Sequence, residues 1–233
     1  ARSLLVLAVT LGAATASLLS PIKLDKDTIQ YLAANTQNAA SSNCIDTNFK
    51  YCQARFNEQI GLDGSVDWTK ADVLLKQVQS YADANVTELL TLCASRAQFY
   101  QCLGAQYRTC VSLYNLLSRP GMTSGLSYTY VDMWTSLDFI CNAGFEEAVN
   151  QYSCLQTIDQ LTAYKTCIST FTDAITGHPE VLCQSANNAG LCLNDVYANA
   201  CQHDTRGAGW FGCEDFLTSF EDTCYERTRC YVH

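Results

Sequence analysis

Apolar residues recur at three- and four-residue steps along most of the chain, the spacing that places them on one buried face of a helix. The clearest example lies between Trp68 and Cys93, where such steps join Ala71, Leu74, Leu75, Val78, Tyr81 and Ala82. Asn85 and Glu88 then have the spacing of a capping box and predict a second helix that begins at Asn85. The pattern therefore predicts helices rather than a turn-rich β sandwich.

Further segments with helical spacing cover most of the remaining chain. They are residues 24–34, 44–60, 107–117, 130–141, 145–152, 155–175, 191–201 and 211–224. We therefore predict an all-α fold, a disulfide-stapled bundle of about eight short helices.

One internal repeat is visible in the sequence. Its first copy has Leu92, Cys93, Ser95, Cys102, Leu103, Tyr107 and Cys110, and its second copy has Leu182, Cys183, Ser185, Cys192, Leu193, Tyr197 and Cys201. The copies predict a repeat over residues 85–120 and 175–205, and two related helical subunits within a single cysteine-rich domain of residues 17–233.

The spacing of these cysteines limits how they can pair. Neighbours eight or nine residues apart on one helix are separated by roughly 12 to 13 Å of helical rise, whereas a disulfide tolerates a Cα separation of about 7 Å. We therefore predict that neither Cys102 nor Cys192 pairs with the nearest cysteine on either side, and that the bridges join one helix to another.

The first residues have the pattern of a secretory signal. Arg2 supplies a positive charge, residues 4–13 form an apolar run, and Ala14-Thr15-Ala16 is a small-x-small cleavage site. We predict a signal peptide over residues 1–16, with cleavage after Ala16. No later segment is continuously apolar for the about 20 residues that a membrane-spanning helix needs, so no membrane insertion is expected.

Cysteine usage agrees with that prediction. The fourteen cysteines are Cys44, Cys52, Cys93, Cys102, Cys110, Cys141, Cys154, Cys167, Cys183, Cys192, Cys201, Cys213, Cys224 and Cys230. An even number downstream of a secretory signal predicts seven disulfides in a secreted, extracellular protein. CxxC pairs are absent and only three histidines occur, so we expect neither a metal site nor a cofactor.

The charge balance bears on the choice of partner. The chain has 23 acidic and 14 basic residues, a formal net charge of −9. Such a field repels nucleic acid, which excludes it as an expected partner. The adjacent acids Glu146-Glu147 and Glu214-Asp215 diverge on a helix and predict solvated faces.

The cysteine pattern resembles that of known secreted families. The residues that carry the resemblance are Leu92-Cys93, Cys102-Leu103, Cys110, Leu137-Asp138-Phe139-Ile140-Cys141, Cys154-Leu155 and Cys167. They are similar to the low-molecular-weight haemolymph glycoproteins of insects and to a cysteine-rich domain of unknown function in secreted nematode proteins. The resemblance implies an extracellular, helical, non-enzymatic protein with no catalytic residues to transfer.

Three chemical features leave alternatives open. His203 and Asp204 beside Cys201 suggest a secreted hydrolase of phospholipase A2 type, against the alternative of a polar loop between helices. Asn85-Val86-Thr87 is a glycosylation sequon, although Asn85 is also the predicted helix cap.

The third feature is a set of aromatic residues. It comprises Tyr128, Tyr130, Trp134, Phe139, Trp210 and Phe211. These side chains either pack in the core or line a pocket for a small apolar ligand.

The main prediction is a secreted non-enzymatic protein with a binding or structural role in a body fluid or secreted matrix. It has no catalytic residues, and its partner is an unknown protein or a small apolar ligand. The alternatives are a carrier of a small apolar ligand in an aromatic-lined pocket and a secreted hydrolase of phospholipase A2 type that uses His203 and Asp204.

Overall fold

The computed structural model describes residues 17–36, 44–201 and 205–232. These ranges contain helices and connecting turns and no β-strand, which confirms the predicted all-α fold. None of the described helices is both long and apolar enough to cross a membrane. The predicted signal peptide, residues 1–16, lies outside the described residues.

Eight of the described helices have ten residues or more, in agreement with the predicted number. They are α1 (Lys26–Asn35), α2 (Asp46–Gln59), α3 (Ala71–Ala84), α4 (Val86–Leu103), α7 (Ser124–Cys141), α10 (Thr162–Ile175), α11 (Leu182–Ala200) and α12 (Thr205–Thr218). Four shorter helices lie between them: α5 (Tyr107–Cys110), α6 (Leu113–Leu117), α8 (Phe145–Asn150) and α9 (Tyr152–Leu155).

Side-chain caps and a glycine set several helix ends. Asn85 caps α4 as predicted, its side-chain oxygen accepting a hydrogen bond of 3.0 Å from the Glu88 N–H. Gly104 ends α4 with φ at +53°, in the region that favours glycine. The predicted helix over 107–117 is wrong as one element, because the backbone leaves helical geometry at Val111 and Ser112 begins α6 as its N-cap.

Seven disulfides join all fourteen cysteines, and they divide into two sets that do not cross. The first half, residues 44–141, contains Cys44–Cys110, Cys52–Cys102 and Cys93–Cys141. The second half, residues 154–230, contains Cys154–Cys201, Cys167–Cys192, Cys183–Cys224 and Cys213–Cys230. The partners of Cys102 and Cys192 confirm that neither pairs with its nearest neighbour.

The pairing order is the same in both halves. Setting aside Cys213–Cys230, the first cysteine of each half bonds the fifth, the second bonds the fourth and the third bonds the sixth. The second-to-fourth bridge joins α2 to α4 in the first half and α10 to α11 in the second. This shared order supports the predicted repeat of residues 85–120 and 175–205, which stays a prediction.

The core consists of two hydrophobic clusters, and each of them contains residues from both halves. In the first, Trp134 stacks on Phe99 with ring centroids 4.0 Å apart, and Phe49 stacks on Trp68 at 4.3 Å. In the second, Phe171 packs edge-on against Phe216 at 5.1 Å. Buried aromatic pairs of this kind contribute about 0.5–1.5 kcal/mol each beyond the area that they remove from water.

Close contact between α11 and α12 depends on glycines. A Cβ added at Gly212 would lie 2.4 Å from the Tyr197 ring, and one added at Gly209 would lie 2.4 Å from Asn194 Nδ2. Both distances are far inside van der Waals contact. Hydrogen at these two positions therefore allows the helices to approach as closely as they do.

Candidate functional site

Neither of the alternative functional sites predicted from sequence gains support from the structure. His203 and Asp204 lie outside the described residues. Of their surroundings, Cys201 is bonded to Cys154, and Gly207, Gly209 and Gly212 belong to α12 rather than to a calcium-binding loop. Within the described part of the chain, no group of His, Cys, Asp or Glu side chains could hold a metal ion.

Most of the aromatic residues singled out in the sequence pack against other aromatic rings. Tyr130 and Trp134 are fully buried, and the Trp134 ring lies against Phe56 and Phe99 with centroid distances of 4.7 and 4.0 Å. Phe139 packs on Phe211 at 5.2 Å. These rings fill the space between their helices with one another, so they act as core residues.

A small pocket lined by two carboxyl groups, here called the carboxyl pocket, lies where the two halves meet. The sequence did not predict it. Two acids enter it from neighbouring helices, Asp132 from α7 and Asp215 from α12. The remaining lining residues are Leu18, Ser20, Ile22, Ser136, Tyr164, Leu193, Tyr197, Gly212, Phe216 and Ser219. Its volume is about 20 Å³. A space of this size holds about one water molecule and excludes a substrate.

In the carboxyl pocket, Asp132 has hydrogen-bond partners, whereas one carboxyl oxygen of Asp215 has none among the described residues. Asp132 is 3% exposed, and its Oδ1 accepts hydrogen bonds from Ser219 Oγ at 2.6 Å and from the Tyr128 hydroxyl at 3.4 Å. Asp215 Oδ1 is shielded from solvent and has no hydrogen-bond partner among the described residues. An unpaired, shielded oxygen strongly disfavours the charged form of the Asp215 carboxyl.

Burial raises the pKa of both acids. The pKa of Asp132 rises to about 6, and that of Asp215 rises to about 8 because the negative charge of Asp132 adds to the effect of burial. Burial also raises the pKa of the Tyr164 and Tyr197 hydroxyls. The described residues that line the pocket include no basic side chain to oppose these shifts. The pocket can therefore exchange protons near neutral pH.

A wider cleft lies beside the carboxyl pocket and shares Ser219 with it. Its walls come from α1, α5, α6, α7 and α12, and its volume is about 200 Å³. Small-molecule sites usually range from about 300 to 1,000 Å³. This cleft is thus smaller than a typical small-molecule site.

The prediction that Glu214-Asp215 forms a solvated face is wrong for Asp215. The two side chains diverge as expected, but Asp215 enters the carboxyl pocket while Glu214 accepts a hydrogen bond of 2.9 Å from Arg227. Glu147 also turns inward, since a Cβ at Gly207 would lie 1.8 Å from its carboxyl carbon. Adjacent acids on a helix point in directions about 100° apart, so one of them readily faces the core.

Asn85 is exposed and caps α4 through Oδ1, whereas an N-glycan is attached through Nδ2. The two predicted roles therefore use different atoms. Glycosylation of Asn85 stays a prediction.

When the chain is expressed in eukaryotic secretory cells, we expect peptide N-glycosidase to reduce its apparent mass by one glycan. Thr87→Ala is expected to remove the glycan without affecting the cap. Asn85→Asp should also remove the glycan while keeping the cap, and Asn85→Ala should cost about 1 kcal/mol of folding stability in addition. Wild-type protein whose mobility does not change on enzyme treatment would contradict the glycan.

No protein-family model, curated protein or solved structure matches the chain. The similarity to haemolymph glycoproteins and to the nematode domain therefore stays a prediction.

Proposed function

We propose that the protein is a secreted, non-enzymatic protein with a binding or structural role in an extracellular fluid or matrix. The observation that carries this proposal is the pairing of all fourteen cysteines in seven disulfides. Such a framework forms and persists in oxidising compartments. The predicted signal peptide of residues 1–16 supports the same location.

Rigidity is the physical property that the framework supplies. A disulfide typically contributes about 2–4 kcal/mol by restricting the unfolded chain, and the seven bridges here close loops of 17 to 66 residues. The helices then hold their surfaces in fixed positions without a ligand or partner. This suits a protein that works outside the cell, where chaperones do not maintain it.

The alternatives receive less support. The carrier requires a pocket among aromatic side chains that instead pack on one another. The hydrolase depends on His203 and Asp204, which lie outside the described residues, and the neighbouring glycines serve helix packing.

Expression of the chain with its predicted signal peptide, residues 1–16, and a Met placed before Ala1 tests the proposal. We expect the protein in the medium of eukaryotic secretory cells, with no free thiol detectable after denaturation. Leu7→Arg, which interrupts the apolar run, should keep the chain in the cells, whereas the control Ser3→Lys should be secreted. Wild-type protein that remains in the cells, or secreted protein with reactive thiols, would contradict the proposal.

A further inference from the structure

The first described residues form an N-terminal strap, residues 17–24, that lies across both halves. The Ser17 backbone nitrogen is 3.3 Å from Asp159 Oδ2, and the Leu18 N–H donates to Asp83 Oδ1 at 2.7 Å. Asp83 belongs to α3 in the first half. Asp159 belongs to a short 3₁₀ turn, Ile158–Gln160, before α10 in the second. The start of the strap therefore lies between two carboxylates from different halves.

The strap is buried rather than loosely attached. Ser17, Leu18 and Leu19 are 8%, 5% and 2% exposed. The Gln79 side chain on α3 donates a hydrogen bond of 2.9 Å to the Leu19 carbonyl. Leu18 and Leu19 belong to the hydrophobic cluster that contains Trp134 and Phe99, and Leu18 also lines the carboxyl pocket.

Among the described residues, no basic side chain forms an ion pair with either carboxylate, Asp83 or Asp159. Burial raises the pKa of Asp83, and the negative charge of Asp159 raises it further against the effect of the strap hydrogen bonds. Asp159 lies on the Ser17 nitrogen and Asp83 on the neighbouring Leu18 N–H. Two partly buried carboxylates on adjacent backbone nitrogens are an unfavourable arrangement unless a positive charge lies beside them.

We propose that cleavage after Ala16 turns the Ser17 nitrogen into an α-ammonium group that pairs with Asp159, while Asp83 holds the adjacent Leu18 N–H, and that this pair fixes the strap across the two halves. Water adds across the Ala16–Ser17 peptide bond, so that Ala16 leaves as a carboxylate and the released Ser17 amine takes up a proton. An amide nitrogen has one donor hydrogen, whereas the ammonium group has three and carries the missing charge. Charge-assisted bonds of this kind are about twice as strong as neutral ones. The inference depends on the proposed secretion, because the signal peptidase that makes the cut is met only on that route.

Refolded chains test the ion pair without the secretion route. One chain begins at Ser17, and a second carries Gly-Gly before Ser17, which moves the amine away from the two acids. We expect the extension to lower the Tm by about 5 °C at pH 7. In an Asp159→Asn background the extension should lower the Tm much less, because the ammonium has lost a partner.

Asp173→Asn, a change at an exposed acid on α10, is the matched control and should leave the full effect of the extension in place. An extension that acts only by steric hindrance would lower the Tm equally with and without Asp159, which would overturn the inference. Equal Tm values for the two starting chains would also overturn it.

N-terminal sequencing of the secreted protein tests the cleavage itself, and we expect Ser17 as the first residue. Secreted protein that begins elsewhere would overturn this inference and leave the proposed function intact. A chain retained in the cells with residues 1–16 attached would contradict both.

Discussion

Gly209→Ala is expected to destabilise the protein by about 3 kcal/mol, because the new methyl group has no space between α11 and α12. Its Cβ would lie 2.4 Å from Asn194 Nδ2 and 2.8 Å from the Asn194 backbone oxygen. Asn194 is fully buried, and its side chain exchanges two hydrogen bonds with the backbone of Tyr231, at 3.0 and 3.2 Å. Movement of Asn194 would break those bonds, so relaxation offers little relief.

Gly125→Ala is the matched control for this prediction. Gly125 lies in the first turn of α7, and a Cβ there meets nothing within 4 Å. Alanine is expected to leave stability unchanged or to raise it by up to about 1 kcal/mol, since it is the better helix former. Urea unfolding of the oxidised proteins, followed by circular dichroism, measures both. Equal stabilities for the two variants would show that α11 and α12 do not pack as described.

The protein is expected to be more stable near pH 5 than near pH 8. In the unfolded chain both pocket acids titrate near 3.8, whereas in the folded protein the pKa of Asp132 is about 6 and that of Asp215 about 8. The folded state therefore binds more protons between about pH 4 and pH 8, and stability falls as the pH rises through that window. The shift at Asp132 alone corresponds to about 3 kcal/mol.

Amide variants isolate this contribution from other titrating groups. Asp132→Asn and Asp215→Asn are expected to be more stable than the wild type at pH 8 and about as stable as it at pH 4, because the amide cannot ionise. The exposed Asp173→Asn should match the wild type at both values. Chemical unfolding at a series of pH values provides the comparison. If the Asp215 variant loses stability with rising pH as steeply as the wild type, the carboxyl pocket does not control this dependence.

Helical periodicity was enough to predict the fold class and the positions of most helices. It extended the helix over 107–117 too far, because hydrophobic spacing does not detect a side-chain cap such as Ser112 when apolar residues lie on both sides. The likeness between the two halves also extends beyond the predicted copies. Cys52, Phe56 and Ile60 have the same spacing as Cys167, Phe171 and Ile175, and all six are buried.

The carboxyl pocket could not be predicted, since its two acids are 83 positions apart and depend on contact between the two halves. A local signal was present for Asp132, an acid between Val131 and Met133 and four residues after Tyr128. A charged residue within an apolar stretch of helix is often buried with polar partners. Asp215 gave no such signal, because its neighbour Glu214 made both residues look solvated.

Two sets of bridges with one pairing order hold the two halves, and disulfide mapping of the oxidised protein measures that order. Mapping requires a cleavage site between neighbouring cysteines, so that each bridge is found in its own pair of peptides. Trypsin cleaves between Cys93 and Cys102 at Arg96. No Lys or Arg lies between Cys183 and Cys192, so the second half requires pepsin. Mass spectrometry of the unreduced peptides is expected to show Cys52 joined to Cys102 and Cys167 joined to Cys192. A bridge between Cys52 or Cys102 and any cysteine of the second half would show that the two sets of bridges are not separate.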